Sequence, residues 1–251
     1  MTPALPHMSD AETILHLSSQ SVYHSGRLRK PNEVRSPLAS STIWIAFTLL
    51  FCILVLATER LGRPKWEWGF KPLASLGFIG FAFHNGACDH PLGLWVVGGL
   101  ILSFLGDVFL ISNRPALFLG GLGSFLLAHV AYIGAFLHIE LNLQSVLGGL
   151  VVLTPISIAV GRWLLRSVPG DMRPAVIGYI IVITCMVAAA LGVLDADKGL
   201  ELCIGAVLFF ISDLSVAIHR FKSPDWVHRA WGLPTYYVAQ LFFAYGAGFS
   251  Y

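Results

Sequence analysis

Charge is what this chain has least of: 12% of its 251 residues are Asp, Glu, Lys or Arg, against roughly 25% in an ordinary soluble domain. With 56% hydrophobic residues and a mean hydropathy of +0.73, that shortage excludes water as the main solvent. The formal net charge is only +2, too little to provide a basic field, so no nucleic-acid partner is expected. There is no Cys-x-x-Cys pair. Cys52, Cys88, Cys185 and Cys203 are far apart and mostly within apolar runs, which reads as four core thiols rather than a metal or redox site. Segments of about ten residues with alternating polarity are missing too, which excludes a transmembrane strand barrel. Over the first 40 or so residues no apolar region follows a basic start, so no signal peptide is read there.

What the chain does have is apolar runs long enough to cross a hydrocarbon core of about 30 Å. Eight are expected, at Thr42–Thr58, Pro72–His84, Leu92–Ser112, Ala116–His138, Ser145–Leu165, Ala175–Leu194, Leu200–His219 and Trp231–Tyr251. The fold class is therefore all-α, a polytopic membrane helix bundle over residues 42–251 with the lipid bilayer as its surroundings. Residues 1–41, polar and carrying Pro3, Pro6, Pro31 and Pro37, read as a flexible tail. The second run is short for a full crossing, which implies tilt or shielding by neighbours. Eight spans put both ends on one side with five Lys and Arg, against eleven on the other. By the positive-inside rule the odd-numbered loops then face the cytoplasm, although the basic tail argues the other way.

The two halves echo each other. Gly99-Leu100-Ile101-Leu102-Ser103-Phe104-Leu105-Gly106-Asp107 aligns with Gly205-Ala206-Val207-Leu208-Phe209-Phe210-Ile211-Ser212-Asp213, sharing Gly, Leu, Phe, a small residue and Asp at matched offsets. Spans three and seven run in the same direction, so the expectation is a 4+4 parallel repeat; a chance match between apolar helices is the alternative.

Within these spans two carboxylates stand out, since each costs about 2.5–3.5 kcal/mol to place inside a membrane helix. Asp107 precedes Pro115 by about eight residues and Asp213 precedes Arg220 by about seven, so both are expected on the order of 10–12 Å inside the same end of their helices. Lys71 opens span two from that face, and Tyr179, Tyr236, Tyr237 and Gln240 stand in the first turns of spans six and eight. Span four adds Phe125, His129 and Tyr132 on one stripe. One reading of the Asp pair is a buried ion pair, for instance with Lys71; the other is chemistry, favoured by so many polar groups in one layer. His129 is open in the same way, as a hydrogen-bonded core residue or a catalyst. His84, Asp89 and His90 fall on the opposite face, and no metal site is expected there.

Lys71-Pro72-Leu73, Gly106-Asp107, Phe125-x-x-x-His129-x-x-Tyr132 and Gly205-Ala206-x-Leu208-Phe209-x-x-Ser212-Asp213, in that order, resemble the YhhN-like lysoplasmalogenase family over approximately residues 42–251. The resemblance implies a membrane hydrolase that converts a lysoplasmalogen, a lysophospholipid, and water into a fatty aldehyde and glycerophosphocholine or glycerophosphoethanolamine, with Asp107 and Asp213 catalytic and no cofactor. Lys71, His129, Tyr132, Tyr179, Tyr236, Tyr237 and Gln240 are the candidate substrate-binding residues, Lys71 for the head-group phosphate. Vinyl ether hydrolysis starts with protonation of an alkene carbon, and a protonated and an ionised carboxyl suit it. A proton-coupled carrier of a small or lipid-like solute fits the intramembrane acids as well, and a scaffold without chemistry is a third reading. The expected compartment is the endoplasmic reticulum membrane in a eukaryote or the inner membrane in a bacterium; oligomeric state is not legible.

Overall fold

The computed structural model describes residues 37–112 and 114–248; the expectation of a flexible tail falls mostly on residues outside these. The described residues from 38 onward form one compact unit. The described residues make eight α-helices and no strand: α1 Pro37–Arg60, α2 Glu67–His84, α3 Pro91–Phe109, α4 Pro115–Phe136, α5 Leu143–Leu165, α6 Arg173–Leu191, α7 Gly199–Phe221 and α8 Trp226–Gly246. Short 3-10 turns at Pro64–Trp66 and Ala87–Asp89 precede α2 and α3.

Six of the eight, α1 and α3 to α7, are long and apolar enough to cross a membrane. The shortfall of α2 and α8 has a physical origin in how the helices pack. Consecutive helices pair, α3 on α4, α5 on α6 and α7 on α8, and α2 lies on α3 and α8, α4 on α6, and α6 on α7. These contacts close a ring in the order α2, α3, α4, α6, α7, α8. Outside it, α5 packs chiefly on α6, and α1 packs on α2, where a side chain at Gly77 would strike Thr48. The outer helices carry the lipid-facing surface: Val151 of α5 is 75% exposed and Ile43 of α1 66%. A helix whose neighbours are protein can hold polar side chains that a lipid-facing helix cannot, and α2 and α8 do.

Several boundaries differ from the sequence expectation. Span two starts at Glu67, five residues before Pro72, which is inside the helix. Glu67 reads as a loop charge in sequence, yet it is buried and ion-paired with Arg229, so it does not end the span. Span eight starts at Trp226 rather than Trp231, after Asp225 accepts from the Val227 N–H at 3.0 Å. Tyr236, Tyr237 and Gln240 are therefore mid-helix residues and not first-turn ones. Helix α3 ends at Phe109, two residues after Asp107, whereas α7 continues eight residues past Asp213; the two aspartates do not share a depth measured from their own helix ends. The cysteines split as well. Cys52 and Cys203 are buried, but Cys88 and Cys185 are exposed, the latter on a helix face that a bilayer would cover.

Candidate active site in the helix ring

Each ring helix contributes at least one polar side chain to an interior cluster: Lys71 and Ser75 from α2, Asp107 from α3, His129 from α4, Tyr179 from α6, Asp213 from α7 and Tyr236 from α8. The cluster has two halves. In the first, Asp107 is 2% exposed; Lys71 Nζ stands 3.4 Å from its Oδ1, while the Ser75 and Tyr236 hydroxyls each donate to its Oδ2 at 2.6 Å. In the second, the Tyr179 hydroxyl donates to Asp213 Oδ2 at 2.7 Å, and His129 Nε2 lies 3.3 Å from the same oxygen. An intramembrane carboxylate needs such partners, because the bilayer offers no water to replace them.

Aromatic packing ties the halves together. The Phe125 ring, one turn before His129, meets Tyr236 edge-on at 5.7 Å and Phe209 at 6.0 Å. Gly106, next to Asp107, makes room for it: a Cβ there would fall 2.7–2.8 Å from the Phe125 ring. A cavity of about 200 Å³ opens beside this wall, lined by Lys71, Asp107, Tyr179, Asp213 and Tyr236, and elsewhere mostly by apolar residues such as Leu122, Leu164, Val176, Ile180 and Phe210. Both carboxyl groups thus border one largely apolar space. At its polar end stand His219, Arg220 and Arg229.

Four of the residues expected at the site do not border that cavity. His129 sits behind Asp213, fully buried. Tyr132 donates to Gln240 Oε1 at 2.6 Å and stacks on Phe243 with centroids 3.9 Å apart. Tyr237 donates to the Lys71 carbonyl at 3.3 Å. These three hold α2, α4 and α8 in register around the cluster. Lys71 is placed differently from the sequence expectation: it is 3% exposed and engaged with Asp107 rather than set near the membrane surface.

Two features went unread in the sequence. Ser75 follows Lys71 by four residues, so it shares that helix face and reaches the same carboxylate; the i, i+4 spacing is a signal that could have found it. The second is a clasp in which Arg229 of α8 pairs with Glu59 of α1 at 3.1 Å and with Glu67 of α2. Its members are 162 and 170 residues from Arg229, and local sequence carries no trace of the pairing.

Comparison with known proteins follows the same lines. The YhhN family model matches residues 66–247, a stretch that contains every residue of the cluster. Among curated proteins, the chain is 31% identical to "Lysoplasmalogenase TMEM86A" of Homo sapiens, over 83% of this chain and 80% of that protein. It is 29% identical to the Bos taurus protein of the same name over the same shares. A "Lysoplasmalogenase" of Mycobacterium bovis is 33% identical over 80% of this chain and 77% of that protein. No solved structure matches. On the family match and these identities, the chain belongs to the YhhN family.

Proposed function

We propose that this chain is an integral membrane hydrolase that cleaves the vinyl ether bond of lysoplasmalogen, releasing a fatty aldehyde and glycerophosphocholine or glycerophosphoethanolamine, with Asp107 and Asp213 as the catalytic carboxyls. One observation carries the reading: a buried carboxyl group from α3 and a half-buried one from α7 line a single apolar cavity in a chain whose relatives are named lysoplasmalogenases. One carboxyl protonates the alkene carbon distal to the ether oxygen, and the resulting oxocarbenium-like ion is attacked by water that the other activates. The hemiacetal then collapses to aldehyde and alcohol. The apolar wall of the cavity takes the alkenyl chain.

For the head group the favoured cation is Arg220 rather than Lys71. Of the three Lys and Arg that line the cavity, Lys71 and Arg229 are in ion pairs and Arg220 is in none among the described residues; its guanidinium lies 4.3 Å above the Phe118 ring. Arg220 follows Asp213 by seven residues, two turns on the same helix stripe, about 10 Å along the axis. A lysophospholipid phosphate lies five covalent bonds from the ether oxygen, on the order of 6 Å, and the reach of an Arg side chain covers the remainder. Tyr179 and Tyr236 border the reacting atoms, and His129, Tyr132, Tyr237 and Gln240 hold the carboxyl groups and their helices in place.

All eight helices cross the membrane in this reading, α2 and α8 shielded by their neighbours, and the odd-numbered loops face the cytoplasm. A 4+4 parallel repeat is supported by the contacts: advancing each helix by four turns the α2–α8 contact into α6–α4, and α2–α3 into α6–α7. The site follows the same operation, since Asp107 of α3 is held from α2 and α8, and Asp213 of α7 from α6 and α4. The membrane is the endoplasmic reticulum in a eukaryotic host and the inner membrane in a bacterium. The deciding assay is incubation of the purified chain in detergent with lysoplasmalogen and measurement of free aldehyde. Release that disappears in Asp107→Asn and in Asp213→Asn, with both variants folded, is the expected result. No aldehyde from the folded wild type, or full activity in either variant, would refute the reading.

A further inference from the structure

We infer that the two carboxyls are unequal at rest: Asp213 holds the proton that opens the reaction, with His129 as its positioning residue, and Asp107 is the standing carboxylate. The inference rests on the hydrolase reading above and adds to it the direction of proton flow. It starts from one contact. His129 Nδ1 is 2.5 Å from the carbonyl oxygen of Phe125. A carbonyl oxygen only accepts, so Nδ1 carries the hydrogen, and in a neutral ring Nε2 is left with a bare lone pair. That nitrogen is buried, has no hydrogen-bond partner, and faces Asp213 Oδ2 at 3.3 Å. Were Asp213 ionised and the ring neutral, two acceptors would oppose each other, and the buried Nε2 would be left with its desolvation cost unmet. One proton between them removes the conflict.

The surroundings place that proton on the carboxyl. His129 is fully buried, its ring 4.4 Å from Phe209 and 5.3 Å from Tyr179. The titratable groups that face it are Tyr179 of α6 and Asp213 of α7, with Tyr236 of α8 standing across Phe125 and Phe209. None of them is a cation. An imidazolium–carboxylate pair would separate charge in this aromatic enclosure, whereas the neutral acid–imidazole pair does not. Asp107 has the opposite environment. Everything that approaches it is a donor: the Lys71 ammonium on Oδ1, and the Ser75 and Tyr236 hydroxyls on Oδ2. Three donors with one cation among them hold an ionised carboxylate.

The steps then balance. The Asp213 carboxyl gives its proton to the distal vinyl carbon as the C=C pair forms the C–H bond, leaving an oxocarbenium-like ion between two carboxylates. Water adds to the ether-bearing carbon and its proton passes to Asp107. Asp107 then returns that proton to the departing glycerol oxygen as the C–O bond breaks. The hemiacetal hydroxyl loses its proton to Asp213 as the aldehyde forms, and both groups regain their starting states. His129 contacts no substrate; it holds the acid form of Asp213 from behind.

The test reads the proton directly. The infrared carbonyl stretch of a protonated carboxylic acid is recorded at neutral pH in an ester-free detergent for wild type, Asp107→Asn, Asp213→Asn and His129→Gln, without substrate. The expected band is lost in Asp213→Asn, kept in Asp107→Asn, and shifted in His129→Gln because the acceptor of that O–H has changed. Loss of the band in Asp107→Asn, or a band that no variant alters, overturns the inference. A kinetic arm uses a lysolipid analogue with a methyl group on the ether-bearing vinyl carbon, whose alkene protonates more readily and yields a ketone. The deficit of Asp213→Asn should shrink by about tenfold on this analogue while that of Asp107→Asn does not; the reverse pattern also overturns it. A wild type that hydrolyses neither substrate while the band behaves as expected would sink the hydrolase reading and leave the proton placement standing.

Discussion

Replacing Lys71 by Met probes the most enclosed Lys or Arg side chain among the described residues. The side chains of Lys71 and Asp107 are 4% and 3% exposed and stand 3.4 Å apart. Removing the ammonium leaves Asp107 with only its two hydroxyl donors, and stripping one member of a buried ion pair typically costs about 3–5 kcal/mol. Asp107→Asn leaves the ammonium buried and unpaired, at a cost of the same order. In the double variant neither charge remains, and the Asn carbonyl still accepts from Ser75 and Tyr236, so its cost should fall short of the sum of the two singles by about 2–3 kcal/mol. Reversible denaturant unfolding of the four proteins in one detergent measures this coupling, and aldehyde release is followed in parallel. Stability should recover in the double variant and activity should not, because the standing carboxylate is gone. Costs that add to within about 0.5 kcal/mol would mean that the two side chains do not interact, and the electrostatic account of Asp107 would fail.

Arg220→Ala should raise KM for a lysolipid bearing a phosphate by roughly 10- to 100-fold, as expected for losing a hydrogen bond to a charged group, and should barely affect an alkenyl glycerol without a head group. Equal effects on the two would remove Arg220 from the phosphate site. Gly106→Val should push Phe125 off its seat against Tyr236 and Phe209, at about 1–3 kcal/mol from overpacking, with an activity loss larger than the fraction unfolded explains; activity that merely tracks the folded fraction would argue against a part for Phe125. With the protein in a bacterial inner membrane, Cys88, exposed between α2 and α3, should react in intact cells with a membrane-impermeant maleimide, whereas labelling only after that membrane is opened would invert the proposed orientation.

Much of the fold is readable from local sequence. Shortage of charge and the recurrence of apolar runs give an all-helical membrane protein, and all eight expected spans correspond to helices, six of them apolar enough to cross on composition alone. The starts of spans two and eight misled because Glu67 and Arg229 look like the charges that end a span, but the two pair with each other. Partnership between residues 162 apart leaves no mark on either stretch of sequence.

The site divides in the same way. Asp107 and Asp213 are visible because an acid in an apolar run costs free energy that must be offset somewhere, and Lys71, Tyr179 and Tyr236 are visible as further polar groups within the spans. Sequence by itself therefore determined which residues need partners. Only the tertiary structure decided which partners they get: Lys71, Ser75 and Tyr236 gather on one aspartate, Tyr179 and the bare nitrogen of His129 on the other. Proton placement depends on whether donors or acceptors face a carboxyl within about 3 Å, and those contacts are set by how six helices close into a ring.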